Sequence, residues 1–202
     1  MKPAPKPARL ERSMIVRKAL ELLNDTGLDG LTTRRLADVL GVQGPALYWH
    51  FKNKQELIDE MALAMIEASY GEVAPNQHWT DWLIDGAKRL RSVMLSYRDG
   101  GRLLAGFRPR GPHGRMDPDT ILEPLRAAGF SKLEAISAAI VISRFTFGWT
   151  VDEQAALERP PSPTEKPPFD PDELFEFGLS AIIAGLNVRL AERALPFAPD
   201  CK

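Results

Sequence analysis

The chain reads as all-α: a small three-helix, helix-turn-helix head at the N-terminus followed by a larger helical body. Three observations predict this. Apolar residues recur at i, i+3 and i+4 in one segment after another. No stretch alternates with the period of two that a strand needs. Residues 32–54 are spaced as two short helices about a tight turn.

In chain order, residues 1–9 are basic, proline-rich and without periodicity, which predicts a disordered arm; the alternative is an arm that enters a DNA minor groove. Residues 10–26 supply the first helix. Thr32 is a side-chain N-cap, and Leu36, Ala37 and Leu40 form one apolar face of the second helix. Gly41 provides the left-handed backbone of a sharp turn. Pro45 suits the first turn of a third helix, in which Leu47, Tyr48 and Phe51 recur at helical spacing. So short a pair cannot bury its apolar faces alone, so the helix over 10–26 must pack on it. One face of the third helix is then left for a partner.

The body begins with an amphipathic helix over 54–72, with Leu57, Met61, Met65 and Ile58 inward, and a second from Trp79 to Tyr97 carrying Leu83, Leu90, Met94 and Leu95. Five glycines in 99–116 predict a short helix plus loop. Asp117-Pro118 opens the next helix, and Pro124 breaks or kinks it. Ser131 and Glu134 form a capping box at the head of a helix reaching about Ala156. Six of the 17 prolines lie between Pro160 and Pro171, an exposed loop. The last helix, about 172–194, is apolar through Phe175, Leu179, Ile182, Ile183, Leu186 and Leu190. The predicted organisation is an arm over 1–9, a head over 10–54 and a body over 55–202.

With 202 residues, 44% hydrophobic and 26% charged, the chain has the composition of a globular protein with a real core. No apolar run approaches the roughly 18–20 residues of a membrane helix, and the N-terminus lacks a secretion signal. A cytoplasmic protein with no membrane partner is therefore expected. Cys201 is the only cysteine, so neither an internal disulfide nor a cysteine zinc site is available. His50, His78 and His113 are too scattered to form a metal or catalytic cluster by spacing, and no nucleophile–base pattern or phosphate-cradling glycine loop appears. No enzyme, cofactor or metal is expected.

The net charge of −1 hides an asymmetry: residues 1–54 carry ten Lys/Arg against five Asp/Glu, whereas residues 55–202 carry 16 against 22. The head is thus +5 and the body −6. A basic head can neutralise phosphates and release counterions, the sequence-independent part of DNA affinity; a merely solvated charged surface is the alternative. With Leu47 and Phe51 turned inward, Gln43, Gly44, Ala46, Tyr48, Trp49 and His50 form the surface available to base edges. Gln43 is suited to adenine and Ala46 to a thymine methyl. Core packing of Tyr48 and Trp49, or plain surface for His50, are the competing readings.

Residues 13–58 resemble the N-terminal DNA-binding domain of the TetR family of bacterial repressors. The resemblance rests on Gly27, Leu31-Thr32, Leu36-Ala37, Gly41-Val42 and the run from Leu47 through Tyr48, Trp49, His50, Phe51, Lys52 and Asn53 to Lys54. It continues at residues 97–100, 106–109, 129–130 and 145–148, segments similar to the tetracycline-repressor branch. The resemblance implies that Tyr48 and Lys54 contact phosphates and that Arg34, beside Thr33, reaches guanine. Gly44 and Ala46 replace polar base-contacting residues of that branch, so a different operator is expected. It also implies a homodimer on a double-stranded DNA operator, built from the last helix and residues 131–156. The wide apolar stripe of the last helix and its small residues Gly178, Ala181 and Gly185 suit such an interface, with a purely internal core helix as the alternative.

A small-molecule effector pocket is implied as well, lined by Tyr70, Gly86, Leu90, Leu104, Phe107, Arg108, Ile121, Ile136, Trp149 and Asp152. Ordinary core packing competes at any one of these. In the tetracycline branch a histidine at the Leu104 position holds drug-bound magnesium; leucine cannot ligate a metal, and Asp152 alone is a poor site. The expected effector is hydrophobic or aromatic, with Arg108 as anchor. A dimeric DNA-binding regulator with no effector is the alternative.

Overall fold

A computed structural model describes residues 10–71, 77–107, 118–158 and 170–194. The arm over 1–9, Arg108, Asp117 and nearly all of the proline-rich stretch lie outside the described residues. All regular structure among those described is helical: α1 (Arg12–Gly30), α2 (Thr33–Leu40), α3 (Gly44–Tyr48), α4 (Lys54–Ser69), α5 (Trp79–Leu95), α6 (Gly100–Gly106), α7 (Pro118–Ile121), α8 (Glu123–Ala127), α9 (Lys132–Leu157) and α10 (Pro171–Ala194).

The local signals act as the residues predict. Thr32 caps α2 by accepting from the Arg35 N–H, and Gly41 ends it in the left-handed region at φ 65°. Ser131 and Glu134 close a reciprocal capping box on α9. Asn53 caps α4 by accepting from the Glu56 N–H at 2.9 Å.

Several bounds differ. α1 leaves helical backbone at Gly27 (φ 67°, ψ 175°), as the end at residue 26 predicts, but one more turn runs on to Gly30. A side chain at 27 would sit 2.8 Å from the Asp99 carboxylate, so both the backbone and the close approach call for glycine. α4 stops at Ser69 rather than 72, and α5 at Leu95 rather than 97. The predicted break falls at Leu122, which lets Pro124 sit in the first turn of α8, where its missing N–H is harmless.

Two apolar clusters hold the molecule. The first joins Ile15, Leu23, Leu36, Leu47 and Phe51 of the head to Leu57, Met61 and Met65 of α4 and to Met94, Leu103, Leu104 and Phe107. It passes through residue 54 without a break, so head and body share a core. The second packs Trp79, Leu83, Leu125, Phe130, Ala138 and Ile142 against Phe175, Leu179 and Ile183 of α10.

α10 corrects two expectations. From Pro171 to Glu192 it is long and apolar enough, by length and composition, to cross a membrane, with a mean hydropathy of 1.5. The charges of Asp172, Glu173, Glu176, Arg189 and Glu192 break up the span in the sequence. The apolar excess forms two faces: Phe175 and Leu179 are fully enclosed, while Phe177 (73% exposed) and Val188 (57%) face outward. Gly178 does not lie open for a partner helix; a Cβ there would stand 2.6 Å from the Phe145 ring of α9. That close approach lets Phe145 stack on Phe175 at 5.4 Å. Gly185, by contrast, has nothing within 4 Å of a Cβ position, and Ala181 is exposed.

Candidate functional site

The head presents α3 on a frame that fixes its far end. Leu47 and Phe51 are buried at 3% and 4% exposure. The Arg12 guanidinium lies 4.4 Å over the Phe51 ring, donates to the His50 carbonyl, and pairs with Glu56 and Glu60 at 2.8 Å each. Burial disfavours the Arg12 charge, but the two carboxylates outweigh it and hold its pKa above the ordinary value. The Glu56 carboxyl is in turn held low by Arg12 and by the Lys52 N–H. One arginine thus ties the start of α1 to the end of α3 and the first half of α4. Its partners lie 38 to 48 residues away, which is why no local pattern announces it.

What this frame leaves outward is an aromatic and basic surface. Trp49 is 89% exposed and Tyr48 56%, so neither is a core residue. Gln43, Arg34 and Lys54 are exposed, whereas Thr33, Gly44, Ala46 and His50 are half-buried. Gly44 has open space at its Cβ position, so packing does not demand a glycine there. These residues lie on or beside α2, α3 and the start of α4, and a helix of the size of α3 is one that a major groove accepts.

The body holds a half-open cavity of about 190 Å³ between α4, α5 and α9. Of the ten residues expected to line a pocket, Tyr70, Gly86, Leu90 and Ile121 do. Leu104 and Phe107 instead belong to the shared core, at 0% and 6% exposure. Ile136 packs into the second cluster. Trp149 lies against Phe145 and Phe175 between α9 and α10, and Asp152 is exposed. Arg108 is outside the described residues. The cavity wall that sequence reasoning missed includes Ile66, Trp82, Ile142, Ser143, Phe147 and Arg89. Apart from Arg89 these are apolar or small residues on core-facing helix positions, where periodicity does not separate a cavity wall from a filled core.

Tyr70 stands at the mouth, 37% exposed, its phenol pushed above its ordinary pKa by burial and by the charge of Glu67. Gly86, in the middle of α5, meets nothing within 4 Å of a Cβ position, so its missing side chain is cavity volume. Leu104 has no donor atom for a metal. Among the described residues no group of three or more His, Cys, Asp or Glu is placed to hold a cation.

The two regions are joined through packed contacts. α4 carries Ser69 and Ile66 at the cavity and Leu57, Glu56 and Glu60 at the head. A second link joins α6 to α1: Asp99, at a left-handed φ of 58°, accepts from the Leu28 N–H and pairs with Arg102. Gln154 of α9 completes the brace, accepting from the Gly101 N–H at 2.8 Å and donating to the Tyr97 carbonyl at 2.8 Å.

Comparison with known proteins matches residues 15–61 to the family model described as bacterial regulatory proteins, tetR family, and residues 73–170 to that of the tetracyclin repressor-like C-terminal domain. The chain is 42% identical over 200 residues to the class A tetracycline repressor protein from transposon 1721 of Escherichia coli, covering 90% of this chain and 92% of that one. Among solved structures, it superposes with a TM-score of 0.75 on a single-residue variant of TetR from Acinetobacter baumannii AYE in complex with minocycline, at 37% identity over 90% of this chain and 99% of that one. BioQ with its natural double-stranded DNA operator is similar too, with a TM-score of 0.69, 32% identity and coverage of 88% and 98%.

Proposed function

The chain belongs to the tetR family of bacterial regulatory proteins, and from that premise we propose that it is a ligand-responsive transcriptional repressor. It binds a palindromic operator as a homodimer in the cytoplasm and is released by a small hydrophobic or aromatic effector. No enzymatic role is proposed. The observation that carries the reading is Trp49, 89% exposed between the buried Leu47 and Phe51.

In this reading residues 10–54 bind DNA. Gln43, Gly44, Ala46, Trp49 and His50 face base edges, Thr33 and Arg34 reach in from α2, and Tyr48 and Lys54 grip phosphates, fixing register without reading sequence. One five-residue helix reads too few base pairs to find a site in a genome. A two-fold dimer doubles the site, with half-sites about 34 Å apart. The outward face of α10, with Phe177, Ala181, Gly185 and Val188, and the adjoining face of α9 with Ile140 and Val141 are the proposed dimer surface.

Release is a population shift: the effector must favour the arrangement that does not bind DNA, by about 5.5 kcal/mol to carry a strongly biased equilibrium across. α4 is the lever, spanning 16 residues or roughly 24 Å from the cavity to the Arg12 frame. A small pivot of α4 changes the separation of the two α3 helices, and a palindrome of fixed spacing rejects the result.

Magnesium-bound tetracycline does not fit the residues present, because Leu104 offers no ligand and Gly86 no side chain to orient a drug. Selection of bound sequences from a random DNA pool tests the whole reading. A palindrome retained in a salt-sensitive way is expected. No sequence-selective retention, or stabilisation by tetracycline with magnesium, overturns the corresponding part.

A further inference from the structure

The cavity wall carries one charge among its described residues, and it is the side chain sequence reasoning passed over. Arg89, on α5, donates from Nε to the Ser69 carbonyl at 3.1 Å. A guanidinium has five N–H donors in a planar fork, and this contact uses one. Among the described residues no carboxylate pairs with Arg89, whereas its neighbour Arg91 is doubly paired with Glu153 and Asp172 at 2.6 Å each. The fork also has room made for it: a side chain at Gly71 would meet the Arg89 Cζ at 2.9 Å and Nη1 at 3.2 Å.

Among the described residues this half-buried cation beside an apolar hollow has no counter-charge, and an anion entering the hollow would supply one. The rest of the wall shows what that anion must be attached to. Trp82, Leu83, Ile142 and Phe147 are apolar, and Tyr70 contributes a hydroxyl, while that of Ser143 donates to the Ala139 carbonyl. Burial keeps the Tyr70 phenol neutral and able to donate.

We propose that the effector is an organic anion, a compact aromatic or apolar body bearing one carboxylate, with the carboxylate held bidentately by Arg89. This rests on the reading that the cavity takes an effector, and it names the class. It also ties binding to release. Arg89 already holds the carbonyl of Ser69, the last residue of α4, so a carboxylate drawing the fork into the cavity loosens the end of the lever.

The test is calorimetry on the full-length protein with two probes of nearly one shape, 2-naphthoate and the neutral 2-naphthamide, for wild type, Arg89→Gln and Arg89→Lys. Wild type is expected to prefer naphthoate by about tenfold or more, the worth of a charge-assisted bidentate pair. Arg89→Gln is expected to lose that preference while binding naphthamide as before. Arg89→Lys, which keeps the charge but not the fork, should fall between. Equal affinity of wild type for the two probes, a preference that survives Arg89→Gln, or no naphthoate binding at about 1 mM overturns the proposal. Operator retention measured on the same samples reports on the repressor reading separately: its absence in wild type sinks that reading, whatever the probes do.

Discussion

Asp99 accepts a 2.7 Å hydrogen bond from the Leu28 N–H, so the residue that starts α6 satisfies a backbone donor just past the kink of α1. Burial works against the Asp99 charge, but this bond and Arg102 outweigh it and hold the carboxyl below its ordinary pKa. A carboxyl held low in the folded state contributes stability that is complete above its unfolded value near 3.8 and is lost as pH falls through the folded one. Asp99→Ala should cost about 1–3 kcal/mol at neutral pH by orphaning the Leu28 N–H, and Asp99→Asn less, since asparagine tolerates the left-handed backbone. In denaturant titrations from pH 7 to 3, both variants should show a flatter acid decline than wild type; an unchanged slope speaks against the contact.

Gly86 sits mid-helix with empty space where a side chain would be. Gly86→Ala should therefore stabilise the fold by about 0.5–1 kcal/mol, the helix cost of glycine. Gly86→Leu should retain operator binding yet fill the cavity and block effector response. Thermal unfolding and effector-release assays read the two effects apart.

Trp49 buries almost nothing, so Trp49→Ala should leave the unfolding midpoint unchanged within about 0.5 kcal/mol. Operator affinity should fall at least about tenfold if the indole meets DNA. Loss of stability with unchanged affinity would reverse the assignment of this surface.

Phe177 and Gly178 are neighbours on α10 that face opposite ways. Phe177→Glu, on the outward face, should shift sedimentation toward monomer and weaken operator binding with it. Gly178→Val drives a branched side chain into the Phe145 ring and should cost about 1–3 kcal/mol by overpacking. A monomerising Gly178→Val with unchanged stability would mean that the glycine serves a partner helix instead.

What was legible in the sequence is what local physics decides. Thr32, Gly41, Pro45 and the Ser131–Glu134 box act within a few residues of themselves, and each is found where its chemistry puts it. The Arg12 frame and the Asp99–Leu28 bond join residues 38 to 71 positions apart, and nothing in their neighbourhoods announces them. The cavity was legible only in part, for the same reason. Leu90 and Leu104 are both apolar helix positions, and only the packing of α4 and α9 decides that one borders open space and the other is sealed. The extent of α10's second face was partly legible, since its apolar excess is compositional, but Gly178 was misread because its contact, Phe145, lies on another helix.

The cluster running from Leu47 through Met61 and Met65 to Leu103 leaves no slack joint, among the described residues, between α3 and the helices that bear the cavity. A message between them has to travel as sliding of close-packed methionines and leucines, with no bending tether available, and such interiors switch between discrete fits instead of yielding gradually. Softening that seam should blunt the response before it melts the protein, because the seam reaches from α3 at Leu47 to the cavity wall at Leu90 and Phe147.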